Sequence, residues 1–85
     1  MRGTGPVKLN GQLVYAYFTV TDDTVRMRVS VDEADRLDLL AGLPVGVQLP
    51  DGEAVGFLVA ATRAVPPFVW LDLQPLAVRA AVRAS

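Results

Sequence analysis

The chain has neither histidine nor cysteine among its 85 residues. Metal sites built on imidazole or thiolate, disulfide scaffolds, thiol nucleophiles and histidine-based triads are therefore excluded within one chain. Neither sign of charge is in surplus. Eight basic against nine acidic residues leave a net charge of −1, which weighs against nucleic-acid binding driven by counterion release. No apolar run approaches the ~20 residues of a membrane helix. The start, Met1-Arg2-Gly3-Thr4-Gly5-Pro6, lacks the apolar segment of a secretory signal. A cytoplasmic protein without membrane contact is the expectation.

What the sequence does have is apolar content: 52% hydrophobic residues and only 20% charged. That is too apolar for a disordered chain, and the length suits one domain. A domain this small buries roughly 60% of its unfolded surface, so the core is thin.

Residues 1–11, with Gly3, Gly5, Pro6 and Gly11, read as a flexible entry arm. Residues 12–75 read as a single small β domain and 76–85 as a C-terminal helix or tail. Residues 13–21 are rich in β-formers, and residues 24–31 alternate with period two. With Asp22-Asp23 as a two-residue hairpin loop, Val20 faces Val25, Phe18 faces Met27, Ala16 faces Val29 and Val14 faces Val31. The other face then pairs Thr19 with Arg26, Tyr17 with Arg28 and Tyr15 with Ser30. A slip of one residue would mix the two faces.

Ser30 and Glu33 have the spacing of a capping box, with Asp32 as the other candidate cap. Ala34, Leu37, Leu40 and Ala41 continue at helical spacing, and Gly42, Leu43 and Pro44 form a stop signal. Residues 45–49 and 53–62 read as strands around an Asp51-Gly52 turn, which sets Phe57 across from Gly46. Residues 63–67 read as a loop and 68–73 as a fifth strand. The expected fold is mostly β (α+β), a small strongly curved sheet or barrel in the order β-β-α-β-β-β with one short helix. The final LAVRAAVRAS stretch suits a helix by alanine content and a strand by alternation. Residues 13–20 and 54–61 are apolar on both faces, more than one small core covers, which points to a homo-oligomer and to a homodimer first.

Catalytic chemistry has little to work with, because no base stands ready to activate a nucleophile. Asp72 shares an apolar strand with Trp70, a setting that perturbs carboxylates, but an edge carboxylate facing solvent or an arginine is the plainer reading. Six acidic residues lie between Asp22 and Asp38. Turns and helix starts favour such residues on their own account, so no metal site and no cofactor are expected.

The outer face of the first hairpin is the candidate binding face: Tyr15, Tyr17, Arg26 and Arg28. Aromatics beside arginines on a sheet suit an acidic or proline-rich peptide, or bases and phosphates. They also suit plain cross-strand packing, with Tyr17 and Arg28 as a cation–π pair. Trp70, Asp72, Arg79 and Arg83 are secondary candidates. Phe68 and Trp70 share one strand face and read as core.

The stretch Asp38-Leu39-Leu40-Ala41-Gly42-Leu43-Pro44-Val45, followed by Asp51-Gly52 and two strands, resembles the SpoA-type domain of flagellar switch and type III secretion sorting-platform proteins. There an Asp-x-Leu-Ala-Gly-Glu-Pro-Val stretch leads into a strand, a turn and two more strands; here Leu43 stands in place of the acid. The likeness covers residues 38–73. It implies a bacterial, intertwined β dimer that docks other proteins. More loosely, residues 25–59 look similar to AbrB-type swapped-hairpin proteins, which would imply a dimer reading DNA through basic loops. The functional expectation is a non-enzymatic protein–protein interaction module, with a small nucleic-acid-binding regulator as the alternative.

Overall fold

A computed structural model describes residues 1–76. The chain forms β1 (Arg2–Leu9), β2 (Gln12–Thr21), β3 (Thr24–Ser30), α1 (Val31–Arg36), β4 (Pro44–Gln48), β5 (Val55–Val65) and β6 (Phe68–Pro75). The six strands close into an antiparallel barrel in the order β1-β2-β3-β6-β5-β4. Two three-stranded meanders are thus joined through α1 and meet along two seams. The β3–β6 seam runs from Val25↔Leu73 to Ser30↔Phe68. The β1–β4 seam consists of Lys8↔Gln48 and Leu9↔Val47.

Residues 2–9 are a full barrel strand, not a flexible arm. Gly3 and Gly5 sit opposite Phe18 and Ala16, and a Cβ on Gly3 would lie 3.2 Å from Phe18 Cζ. Gly3, which looks loop-like, makes room for that ring, and a Cβ on Gly5 would meet Pro50 Cγ at 3.7 Å. Asn10 and Gly11 both take positive φ, 54° and 82°, as a tight hairpin turn requires. Asn10 also clasps β4: its Oδ1 accepts from the Gly46 N–H at 2.8 Å, and its own N–H donates to the Gly46 carbonyl at 2.8 Å.

The β2–β3 hairpin has the expected register from Thr21↔Thr24 to Tyr17↔Arg28. Below that point β2 keeps only β1 as a partner, with Tyr15 opposite Pro6. The helix also starts as expected, with Ser30 Oγ accepting from the Glu33 N–H at 3.1 Å. It ends earlier than the apolar spacing suggests, at Arg36, because Asp38 turns left-handed at φ 53°. That turn sends Leu39 into the core and leaves Leu40 exposed. Gly42, at φ 93°, then donates its N–H to the Val59 carbonyl at 2.8 Å.

The β4–β5 register differs by one residue from the expectation. Phe57 lies across from Val45, and Gly46 across from Gly56, with residues 49–54 as the connecting loop. Val45, Val47 and Phe57 are all buried and must share the inner face. A two-residue loop at Asp51-Gly52 would have turned the ring out to solvent.

The core is wholly apolar, with no buried polar or charged residue among those described. Met27, Leu71, Leu73, Leu9 and five valines are its most enclosed side chains. Since Leu71 and Leu73 fill the inner positions of β6, the alternate residues Phe68, Trp70 and Asp72 face outward, which overturns the reading of the two aromatics as core. Apart from Leu76, the C-terminal segment read as helix or tail lies outside the described residues.

Candidate binding face

Strand pairing brings outward side chains from five strands into transverse rows. One row runs Thr4, Tyr17, Arg28, Trp70, Arg63 across β1, β2, β3, β6 and β5. Beside it runs Arg2, Thr19, Arg26, Asp72, Ala61. Phe68 flanks the first row on the other side, opposite Ser30.

Arg28 is the centre of this arrangement. Its guanidinium lies 4.3 Å from the Phe68 ring centroid, 5.7 Å from Tyr17 and 5.9 Å from Trp70. Tyr17 and Trp70 meet edge to face, with centroids 6.0 Å apart and planes at 84°. Both geometries fall within the range where ring quadrupoles attract a cation or another ring's edge. Arg28 has no carboxylate partner among the described residues, whereas Arg26 Nε meets Asp72 Oδ1 at 3.0 Å in an exposed ion pair.

The Tyr17 hydroxyl accepts from Thr19 Oγ1 at 3.4 Å. That hydrogen bond is the main cause that lowers the Tyr17 pKa below its ordinary 10.0. Partial desolvation opposes it, while a hydrogen bond from Arg2 and the charges of Arg2 and Arg28 act in the same direction as Thr19. All of these donors and charges favour phenolate over phenol.

Four arginines, Arg2, Arg26, Arg28 and Arg63, therefore share this face with one carboxylate, Asp72. A chain that is net negative overall concentrates positive charge here. An open groove of about 720 Å³ runs past Tyr17, Thr19, Arg26, Ala61, Trp70 and Asp72. A smaller cleft of about 230 Å³ continues from it beside Thr62 and Arg63.

Of the residues expected on the face, Tyr17, Arg26, Arg28, Trp70 and Asp72 come together. Tyr15 does not join them: it stands 71% exposed on the part of β2 that has left β3. Arg79 and Arg83 lie outside the described residues. Sequence reasoning missed Arg2, Arg63 and Phe68. Residues 63–65, read as a loop, belong to β5, and the signal was the Pro66-Pro67 turn. Counting outward from it pairs Val65 with Phe68 and Arg63 with Trp70, as observed.

Among the described residues no three acidic side chains gather where they would hold a metal ion. Glu33 instead pairs with Arg36 along α1. No helix of the described residues is long and apolar enough to cross a membrane. No protein-family model, curated protein or solved structure matches the chain.

Proposed function

We propose that this barrel is a non-enzymatic, cytoplasmic binding module that docks an acidic segment of another protein across the Tyr17, Arg26, Arg28 and Trp70 face. The observation that carries the reading is Arg28: a half-buried guanidinium held by three rings, with no carboxylate partner among the described residues, inside a cluster of four arginines. Such a site is pre-organised for carboxylates, because the cation is fixed by rings and its outward donors stay open.

The alternative, a nucleic-acid-binding regulator, fits the same charge but not the same rings. Base stacking needs free aromatic faces. Here Arg28 covers the Phe68 ring, and Tyr17 and Trp70 are turned edge to face against each other. The likeness of residues 38–73 to a protein-docking domain points the same way. Exposed Leu13 and Tyr15 on β2 support the companion proposal of a homodimer, which sedimentation of the full chain tests directly.

Fluorescence anisotropy with labelled poly-glutamate and, separately, a single-stranded oligonucleotide of equal charge distinguishes the two partner classes. Poly-glutamate binding that weakens with salt and is lost in the double variant Arg26→Met, Arg28→Met supports the acidic-segment reading. Binding of the oligonucleotide alone replaces it with the nucleic-acid one, and binding of neither removes both.

A further inference from the structure

β5 extends past the partner that covers its far side. Its ladder with β4 ends at Pro44↔Leu58. The loop between α1 and β4 makes one further contact, in which the Val59 N–H donates to the Leu43 carbonyl at 2.9 Å and its carbonyl accepts from Gly42. From residue 61 to residue 65 the strand pairs with β6 alone, Ala60 is the extra residue at the register shift, and all six are exposed. The segment is bounded by a register shift between Val59 and Ala61 and by Pro66-Pro67.

Open strand edges are normally guarded by lysines, prolines or inward charges. This one carries Ala60, Ala61, Thr62 and Ala64, whose small side chains leave the backbone accessible. Its one charge is Arg63, which points to the basic face beside Trp70 and has no ion-pair partner among the described residues. The cleft lined by Arg26, Ala61, Thr62, Arg63, Trp70 and Asp72 joins this edge to the groove described above.

We propose that the acidic partner binds as an added β-strand along residues 61–65, which rests on the acidic-segment reading of the face. In an extended segment alternate side chains point to the same side. Acidic residues at every second position then stand over the cleft and reach Arg63, while Asp72 is already engaged by Arg26. Main-chain hydrogen bonds supply affinity, and the arginines select acidic side chains. A second copy of the chain is a poorer occupant. Antiparallel pairing of this edge with itself sets Arg63 opposite or diagonally beside its own copy in each central register, which is unfavourable for like charges.

The test uses the full chain and labelled synthetic peptides. The parent is Glu-Val-Glu-Val-Glu-Val-Glu; two isomers carry three backbone N-methyl groups each, on the last three glutamates or on the three valines, and a fourth peptide has lysine in place of glutamate. Strand addition blocks one N-methyl isomer and tolerates the other, because only one set of N–H groups faces the barrel. The expected result is a loss of about tenfold or more for one isomer, no binding of the lysine peptide, and slower hydrogen exchange for amides of residues 61–65. Arg63→Glu weakens the parent by a similar factor.

Equal binding of the parent and both isomers overturns strand addition, and if poly-glutamate still binds, the acidic-segment reading survives that failure. Exchange protection that rises with protein concentration in the absence of peptide overturns it as well, in favour of a second copy. No binding of the parent peptide or of poly-glutamate removes both proposals.

Discussion

Replacing Arg28 with methionine keeps most of the aliphatic stem and removes the charge from the three rings. A cation–π contact contributes about 0.5–1 kcal/mol when exposed and about 2 when desolvated. Arg28 is half-buried, with one ring at 4.3 Å and two near 6 Å, so the gross loss is about 1–2 kcal/mol by the same scale. Relief of repulsion from Arg26 and Arg63 returns a few tenths, leaving a net cost of roughly 1 kcal/mol. In a domain this size that lowers Tm by about 4–8 °C.

Trp70 is the sole tryptophan and lies in the cluster, so urea unfolding followed by its fluorescence, with circular dichroism as a second probe, reads the change. The decisive comparison is a double-mutant cycle with Phe68→Leu, for which the stacking geometry sets a coupling of about 0.5–1 kcal/mol. Costs that add to within about 0.3 kcal/mol would refute the claim that the rings hold the guanidinium. Arg26→Met is the control. Its ion pair with Asp72 leaves the two side chains 65% and 48% exposed, so after solvent screening it contributes about 0–1 kcal/mol.

Three other outcomes are expected. Leu71, 0% exposed on the inner face of β6, loses about 2–5 kcal/mol on truncation to alanine; a urea-derived loss below about 1 kcal/mol would contradict its place in the core. Ser30→Ala removes the acceptor for the Glu33 N–H and costs about 1 kcal/mol, which Ser30→Asp restores; an equal cost for both variants would show that the cap is not the cause. In Tyr15→Phe protein, absorbance titration finds the Tyr17 phenolate forming below pH 10.0. Since the folded state then loses this proton before the unfolded state does, Tyr17 adds stability only as pH rises through its lowered pKa, and fully above 10.0. A stability difference from Tyr17→Phe that stays flat across that window contradicts the assignment.

The parts of the fold legible in the sequence are those where two constraints coincide. In the β2–β3 hairpin, alternation on both strands and a short turn leave one register, and the strands adopt it. In β1 the constraints conflict. Gly3, Gly5 and Pro6 have low strand propensity, but at Gly3 the Phe18 ring fills the space a side chain would take. The contrary signal, Asn10-Gly11 between alternating segments, was the stronger one. Between β4 and β5 the turn pair Asp51-Gly52 and the burial of Phe57 favour different registers, and burial decides. Most of the candidate face was visible, since Tyr17 and Arg26 pair with or flank Arg28 inside one hairpin and Trp70 and Asp72 share one strand. Arg2 and Arg63 come from residues that read as an arm and a loop, and only the non-local β3–β6 seam brings Phe68 and Trp70 beside the first hairpin.

The unequal seams of the barrel divide it into a hinge and a clasp. Six residue pairs join β3 to β6, but only two join β1 to β4, reinforced by the Asn10–Gly46 hydrogen bonds. Fluctuations that part the two meanders therefore begin at Lys8, Leu9 and Asn10, and the sheet opens there like a book whose spine is the β3–β6 ladder. Arg28 and Trp70 are paired on that spine. The candidate binding face thus centres on the more extensively paired seam, away from the short β1–β4 ladder.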